Sequence, residues 1–308
     1  MTVVVVSIAI VILFMPRWLA PLMRRLDPHE AVRMSVVAVA IGAILVELSF
    51  VLLAVPAVFS AVGVRSHAVS CRLLSDLAPG GLQVGWLTAV LAVLFPVLAH
   101  RGSKHARAVA DEMRAESTLG VHTQLEGIDL VRLPTEALVA YSIGAPDPQI
   151  VVSDGLVALL GPDELDVVLG HEIAHVRDDH GRILRFLAAL ESPMSSLRYI
   201  TAPVRVAMER SADEAAIRRD PVRRIALLDA LLKVSNADLP VSVAAFMHRS
   251  GVVERAQALL TSPPAPTRLQ RSIARLVLGG AAAGGVLVVG AWGFEAHMLL
   301  SMAGICCR

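Results

Sequence analysis

LGHEIAHVRDDHGR, residues 169–182, sets two histidines four apart with a glutamate after the first: His171, Glu172 and His175. On a helix, residues four apart project from one face, so both imidazoles can grip one cation. Glu172 lies beside the first of them and can reach water at the metal without binding the metal itself. A catalytic zinc takes a third protein ligand and keeps one position open. Downstream, MERSADEAA (208–216) places Glu209 and Asp213 four apart on a second predicted helix. A carboxylate ligand, with a further carboxylate accepting the spare N–H of a ligand histidine, is what a working zinc site uses. Glu209 is therefore favoured as third ligand over Glu214 or Glu191, since it alone has an aspartate at that offset. His180 lies five past His175, rotated about 140° on an ideal helix. It reads as a surface residue or as a partner of a ligand. Asp178 and Asp179 read as a solvated face.

The chain around this motif is apolar. Of its 308 residues 55% are hydrophobic and 18% charged, with a mean hydropathy of +0.65, which points to the membrane class. With a net charge of +1, nothing suggests a nucleic-acid binder that works through a basic surface. The apolar residues fall in four blocks: about 3–23, 34–64, 82–99 and 276–303. The last three reach the length needed to cross about 30 Å of hydrocarbon. The first requires Arg17 to snorkel to the headgroups. No positive region precedes it, so it reads as a span rather than a signal peptide. The sequence thus predicts four transmembrane helices.

Basic residues orient them. Arg17, Arg24, Arg25 and Arg33 follow block one, Arg101, Lys104, Arg107 and Arg114 follow block three, and Arg268, Arg271 and Arg275 precede block four. The opposite side has only Arg65, Arg72 and Arg308. Both termini are then expected outside and the segment between spans three and four in the cytoplasm. The expected organisation is three spans within 1–101, a cytoplasmic domain over 102–270, and a fourth span with a short outer tail over 271–308. Scarce lysine with abundant Ala and Val is the residue usage of a GC-rich bacterium, which makes the membrane a bacterial inner membrane.

Within the cytoplasmic segment, KHARAVADEMRAESTL (104–119) reads as a helical stalk continuing span three. IDLVRLP (128–134), ALVAYSI (137–143) and QIVVS (149–153) read as three short strands. In QIVVS, Ile150, Val151 and Val152 are read as an edge strand onto which an extended substrate pairs. Pro162, with Asp163 and Glu164 in the first turn, starts the histidine-bearing helix. The rest to about 260 reads as helix broken at Pro193, Pro203, Pro221 and Pro240. TSPPAPTR (261–268) reads as a connector, and there are no internal repeats.

The run AYSIGAPDPQIVVSDGLVALLGPDELDVVLGHEIAHVRDDHGR, followed by ERSADEAA, resembles the BlaR/MecR-type membrane zinc peptidases, the β-lactam-sensor antirepressor proteases. The likeness covers about 140–215, and the four-span plan fits it. The motifs are also similar to those of HtpX-type and CAAX-prenyl membrane proteases. The resemblance implies a membrane α-helical protein with a cytoplasmic α+β, zincin-like (gluzincin) metallopeptidase domain. It implies Zn2+ on His171, His175 and Glu209, Glu172 as general base, and Asp213 as partner of a ligand histidine. Zinc would then polarise the scissile carbonyl and acidify water, while Glu172 passes the proton to the leaving amine. Sensor members carry a penicillin-binding domain after the last span, whereas this sequence ends at Arg308, so no β-lactam sensor is expected in it. The expected substrate is a cytoplasmic regulator such as a transcriptional repressor, in a signalling role. The alternatives are membrane-protein quality control, as in the HtpX type, and a non-catalytic membrane protein that binds partners. An intact Glu172 argues against the last.

Four other features bear on function. Glu47, in mid-span, either pairs within the bundle or transmits a signal. GAAAG (280–284) permits close helix packing. His248 and Tyr199 are candidates for oxyanion donors, with a structural role favoured for each. Cys71, Cys306 and Cys307 are all expected on the outer face, where disulfides persist, which removes thiolates from the ligand set.

Overall fold

The computed structural model describes residues 2–61, 81–218, 220–237 and 249–261, with scattered positions from 267 onward. Its first helices are α1 (Thr2–Trp18), α2 (Ala20–Met23), α3 (Pro28–Ala61) and α4 (Gly81–Ser117). Among the described residues, two helices are long and apolar enough to cross a membrane: Pro28–Ala54, with mean hydropathy 2.7, and Gln83–Ser117, with 1.7. Only 33% and 11% of their apolar windows are buried, unlike core helices of a soluble domain. Val37, Ile44, Val51 and Val58 form an exposed stripe on α3, and Trp86, Val90, Val93 and Val97 face outward from α4. Continuous exposed apolar surface of this extent calls for lipid or another apolar partner.

The first expected span departs from its single-helix reading. At 17 residues, α1 is about 25 Å long at 1.5 Å per residue, short of the hydrocarbon thickness. The chain turns at Leu19 into α2. Helix α1 packs closely on α3, where a Cβ at Gly42 would stand 2.6 Å from the Leu13 backbone. The fourth expected span and the loop 62–80 lie outside the described residues, and with them Cys71, Cys306, Cys307 and GAAAG as a unit.

The stalk is present as expected: α4 is one 37-residue helix running from the membrane window into the following domain. A four-stranded sheet follows, β1 (Val121–Leu125), β2 (Ile128–Leu133), β3 (Ala140–Ile143) and β4 (Gln149–Ser153). Its order is β1-β2-β4-β3, with β2 and β4 parallel and the other pairs antiparallel. Strand β1 is additional to the three expected. Its residues are almost all exposed and give no apolar alternation. What forms it is a two-residue turn, Glu126 and Gly127 at φ 51° and 81°, the positive-φ pair that suits a tight hairpin.

QIVVS is not an edge strand. β4 is bonded to β2 on one side and β3 on the other, which overturns the reading of Ile150, Val151 and Val152 as a substrate edge. Their burial explains it: a strand with three consecutive buried aliphatics needs cover on both faces. Val151 packs with Val131, Leu133 and Ile143 towards Met113 of the stalk. Ile150 packs with Ile128 and Ile173, and Val152 with Leu156, Leu160, Ala230 and Val234. The sheet edges are β1 and β3.

Among the described residues, six α-helices follow the sheet: α5 (Asp154–Leu159), α6 (Pro162–Arg177), α7 (His180–Glu191), α8 (Arg198–Ile217), α9 (Pro221–Asn236) and α10 (Arg249–Thr261). Helix α6 begins as expected with Pro162, and the Glu164 carboxylate accepts the Gly161 N–H at 2.8 Å and Lys233 Nζ at 2.7 Å. Pro221 opens α9, and Pro193 lies between helices. Pro203 does not break the chain as expected but sits inside α8. Buried Val204, Ala207 and Met208, next to it, hold that helix against the core despite the lost backbone bond. Pro240 lies outside the described residues.

Candidate metal centre

Helix α6 presents His171 and His175, and α8 presents Glu209 and Asp213 across from them. One ligand atom each from His171, His175 and Glu209 lies within 4.8 Å of the others, a group that could hold a metal ion. The two Nε2 atoms are 3.0 Å apart. Glu209 straddles them, Oε2 at 3.6 Å from His171 Nε2 and Oε1 at 3.7 Å from His175 Nε2. Donors about 2.0–2.2 Å from a tetrahedral zinc stand about 3.3–3.6 Å from one another. The observed separations bracket that value, so the donor set fits zinc. Glu209 keeps 38% of its side chain exposed, leaving the centre open on that side.

Both imidazoles have their outer nitrogen occupied, which aims Nε2 at the shared point. His171 Nδ1 lies 2.9 Å from Asp213 Oδ1. His175 Nδ1 lies 2.8 Å from Nδ1 of His180, whose ring stacks edge-on against it. His180 is thus neither ligand nor surface residue: it is 1% exposed and partners a ligand histidine. The helix break at Asp179, in the left-handed region at φ 51°, starts α7 anew and turns His180 inward. Asp178 is only partly solvated. Its Oδ2 is buried, 3.2 Å from His29 Nδ1 and 3.9 Å from His180 Nε2. His29, in the first turn of α3, also meets Ser211 Oγ at 2.9 Å, so the membrane helix touches both helices of the centre.

The charges separate the roles. Burial and the Arg255 cation push His171 down, but the close Asp213 and Glu209 carboxylates prevail, raising its pKa to about 9. Burial and the His171 charge lower His175 to about 4, and burial with His175 lowers His180 to about 4. Burial pushes the Glu172 carboxyl up, while the His171 charge and a hydrogen bond from Ser142 of β3 draw it back. A carboxylate raised in this way is a stronger proton acceptor than an ordinary one.

Arg255 of α10 is a residue that sequence reasoning missed. Its fork meets Asp213, with Nη2 to Oδ1 at 2.6 Å and Nε to Oδ2 at 2.9 Å, and Nη1 lies 3.1 Å from Glu209 Oε2. The alternative ligands lie elsewhere. Glu191 is buried against Arg205 and Thr201, and Glu214 faces Arg224. Tyr199 is ten residues before Glu209, about 15 Å along α8, and lies under the Arg17 guanidinium at 4.3 Å. It is therefore no oxyanion donor. His248 lies outside the described residues. Glu47 lines an open groove between α3, α4 and α7, and among the described residues its buried Oε2 has no hydrogen-bond partner.

Residues 105–244 match the model of Peptidase family M48. The protease HtpX homologue of Leuconostoc citreum (strain KM20) is 27% identical over 147 residues, covering 44% of this chain and 50% of that protein. Both matches are to peptidases. The chain spans about half the length of this curated relative, and no solved structure matches it significantly.

Proposed function

We propose that the chain is an integral membrane zinc endopeptidase. The observation that carries the reading is the His171–His175–Glu209 cluster with the raised carboxyl of Glu172 beside it. His171, His175 and Glu209 would hold the ion, with Asp213 and His180 orienting the two imidazoles. When bound there, zinc would supply Lewis acidity towards a peptide carbonyl and towards water. Glu172 takes the proton of the attacking water and delivers it to the leaving amine. Ser142 holds the Glu172 carboxylate towards β3, a sheet edge beside α6. Among the described residues that edge has no further strand on it, so it offers main-chain partners to an extended peptide, which suits cleavage of unfolded or extended segments.

The domain lies at the end of the membrane windows marked by exposed Arg33 and Arg101. The positive-inside rule puts that end in the cytoplasm, with both termini outside. Likeness to the antirepressor peptidases favours a cytoplasmic repressor as substrate. A second reading, membrane-protein quality control, is favoured by the similarity to a protease HtpX homologue. Comparing the proteomes of cells carrying wild type or Glu172→Ala separates them. One accumulating cytoplasmic regulator supports signalling, many accumulating membrane proteins support quality control, and no change in either set counts against proteolysis.

A further inference from the structure

Arg255 stands far along the chain from both ligand helices and yet enters the centre, with 16% of its side chain exposed. Its guanidinium grips both oxygens of Asp213, and the same Asp213 Oδ1 faces His171 Nδ1 at 2.9 Å. A single carboxylate so loaded has its plane and rotation fixed, because a planar fork bonds both oxygens at once. Without the fork, Asp213 would lose the cation that holds both of its oxygens and could turn away from His171.

We propose that Arg255 is a positioning residue of the metal centre: from α10 it fixes the Asp213 carboxylate, which in turn fixes the His171 imidazole with Nε2 towards the ion. The inference rests on the zinc reading above. It makes the centre depend on a helix that supplies no ligand. A chain with α10 displaced keeps His171, His175 and Glu209 but loses the clamp. The positive charge of Arg255 opposes a dication, yet it faces two carboxylates, Asp213 and Glu209, and is compensated by them. The bonded geometry therefore outweighs the repulsion.

The test is the zinc dissociation constant of the full chain in detergent, measured by competition with a chelator. Arg255→Met, Arg255→Lys, Asp213→Asn and the double variant Arg255→Met/Asp213→Asn are compared with wild type. Arg255→Met weakens zinc binding about 10–100-fold, the range for losing a residue that orients a ligand. Arg255→Lys recovers only part of that loss, since a point-like ammonium cannot bond both oxygens. Because most of the effect passes through Asp213, with a smaller direct share through the 3.1 Å contact of Arg255 Nη1 with Glu209 Oε2, Arg255→Met costs clearly less on the Asp213→Asn background than on wild type. Unchanged or tighter zinc binding in Arg255→Met, or full additivity in the double variant, overturns the proposal. If circular dichroism shows Arg255→Met unfolded, Arg255→Lys takes its place in the same cycle with the same signs. A wild type that binds no zinc defeats the metal reading itself, whereas zinc-binding wild type with indifferent Arg255 variants defeats only this role.

Discussion

Replacing His180 with Leu removes the acceptor of His175 Nδ1 while filling most of the same buried volume. The two Nδ1 atoms are 2.8 Å apart and His180 is 1% exposed, so water cannot take the place of its ring. A buried donor left without a partner costs about 1–3 kcal/mol. The cost falls mainly on the metal-bound state, because only there is the His175 ring held in one orientation. A free imidazole can turn to another partner. At 1.4 kcal/mol per tenfold, zinc affinity should fall about 5–150-fold, which overlaps the 10–100-fold typical of such outer partners. His180→Asn should recover much of the loss, since its side-chain oxygen can accept at the position of Nδ1. The assay is chelator competition on the purified chain, with thermal unfolding in excess chelator as the check on the metal-free fold. Wild-type zinc affinity in a folded His180→Leu protein would refute the argument that His180 orients His175.

Other expectations follow from the same geometry. Glu172→Ala should keep zinc and fold and abolish peptide cleavage, and cleavage at the normal rate would remove Glu172 as base. Glu191→Ala should leave zinc affinity unchanged but lower the melting temperature, because it strands Arg205 and Thr201. The cost is about 2–4 kcal/mol, below that of a fully buried pair because Arg205 is partly exposed. Zinc loss in that variant would place Glu191 in the ligand set after all. Cys71, Cys306 and Cys307 should react with an impermeant maleimide on intact cells after mild reduction. Labelling only in opened cells would invert the proposed orientation and put the centre outside.

The parts legible in the sequence are those that repeat at helical spacing. His171 with His175, and Glu209 with Asp213, are each four apart, and the structure sets the two pairs face to face across α6 and α8. The stalk and the start of α6 are readable from charge patterning and Pro162. What stays hidden depends on tertiary contacts. Three aliphatics in QIVVS show burial but not which neighbours bury them, so an interior strand passes for an edge. Strand β1 has no apolar signature and exists through its turn and its pairing with β2. Arg255 looks like any solvent-facing arginine of an amphipathic helix until α10 is docked. For His180 an ideal-helix projection leaves the surface and the ligand-partner readings open, and the chain break at Asp179 decides for the partner by turning it inward.

The zinc content of the purified full chain tests the central claim most directly. Elemental analysis should find stoichiometric zinc in wild type and in Glu172→Ala, and most of it missing from Glu209→Ala although that variant is folded. A folded wild type that takes up no zinc, or a Glu209→Ala protein with undiminished occupancy, would contradict a metal centre built on His171, His175 and Glu209.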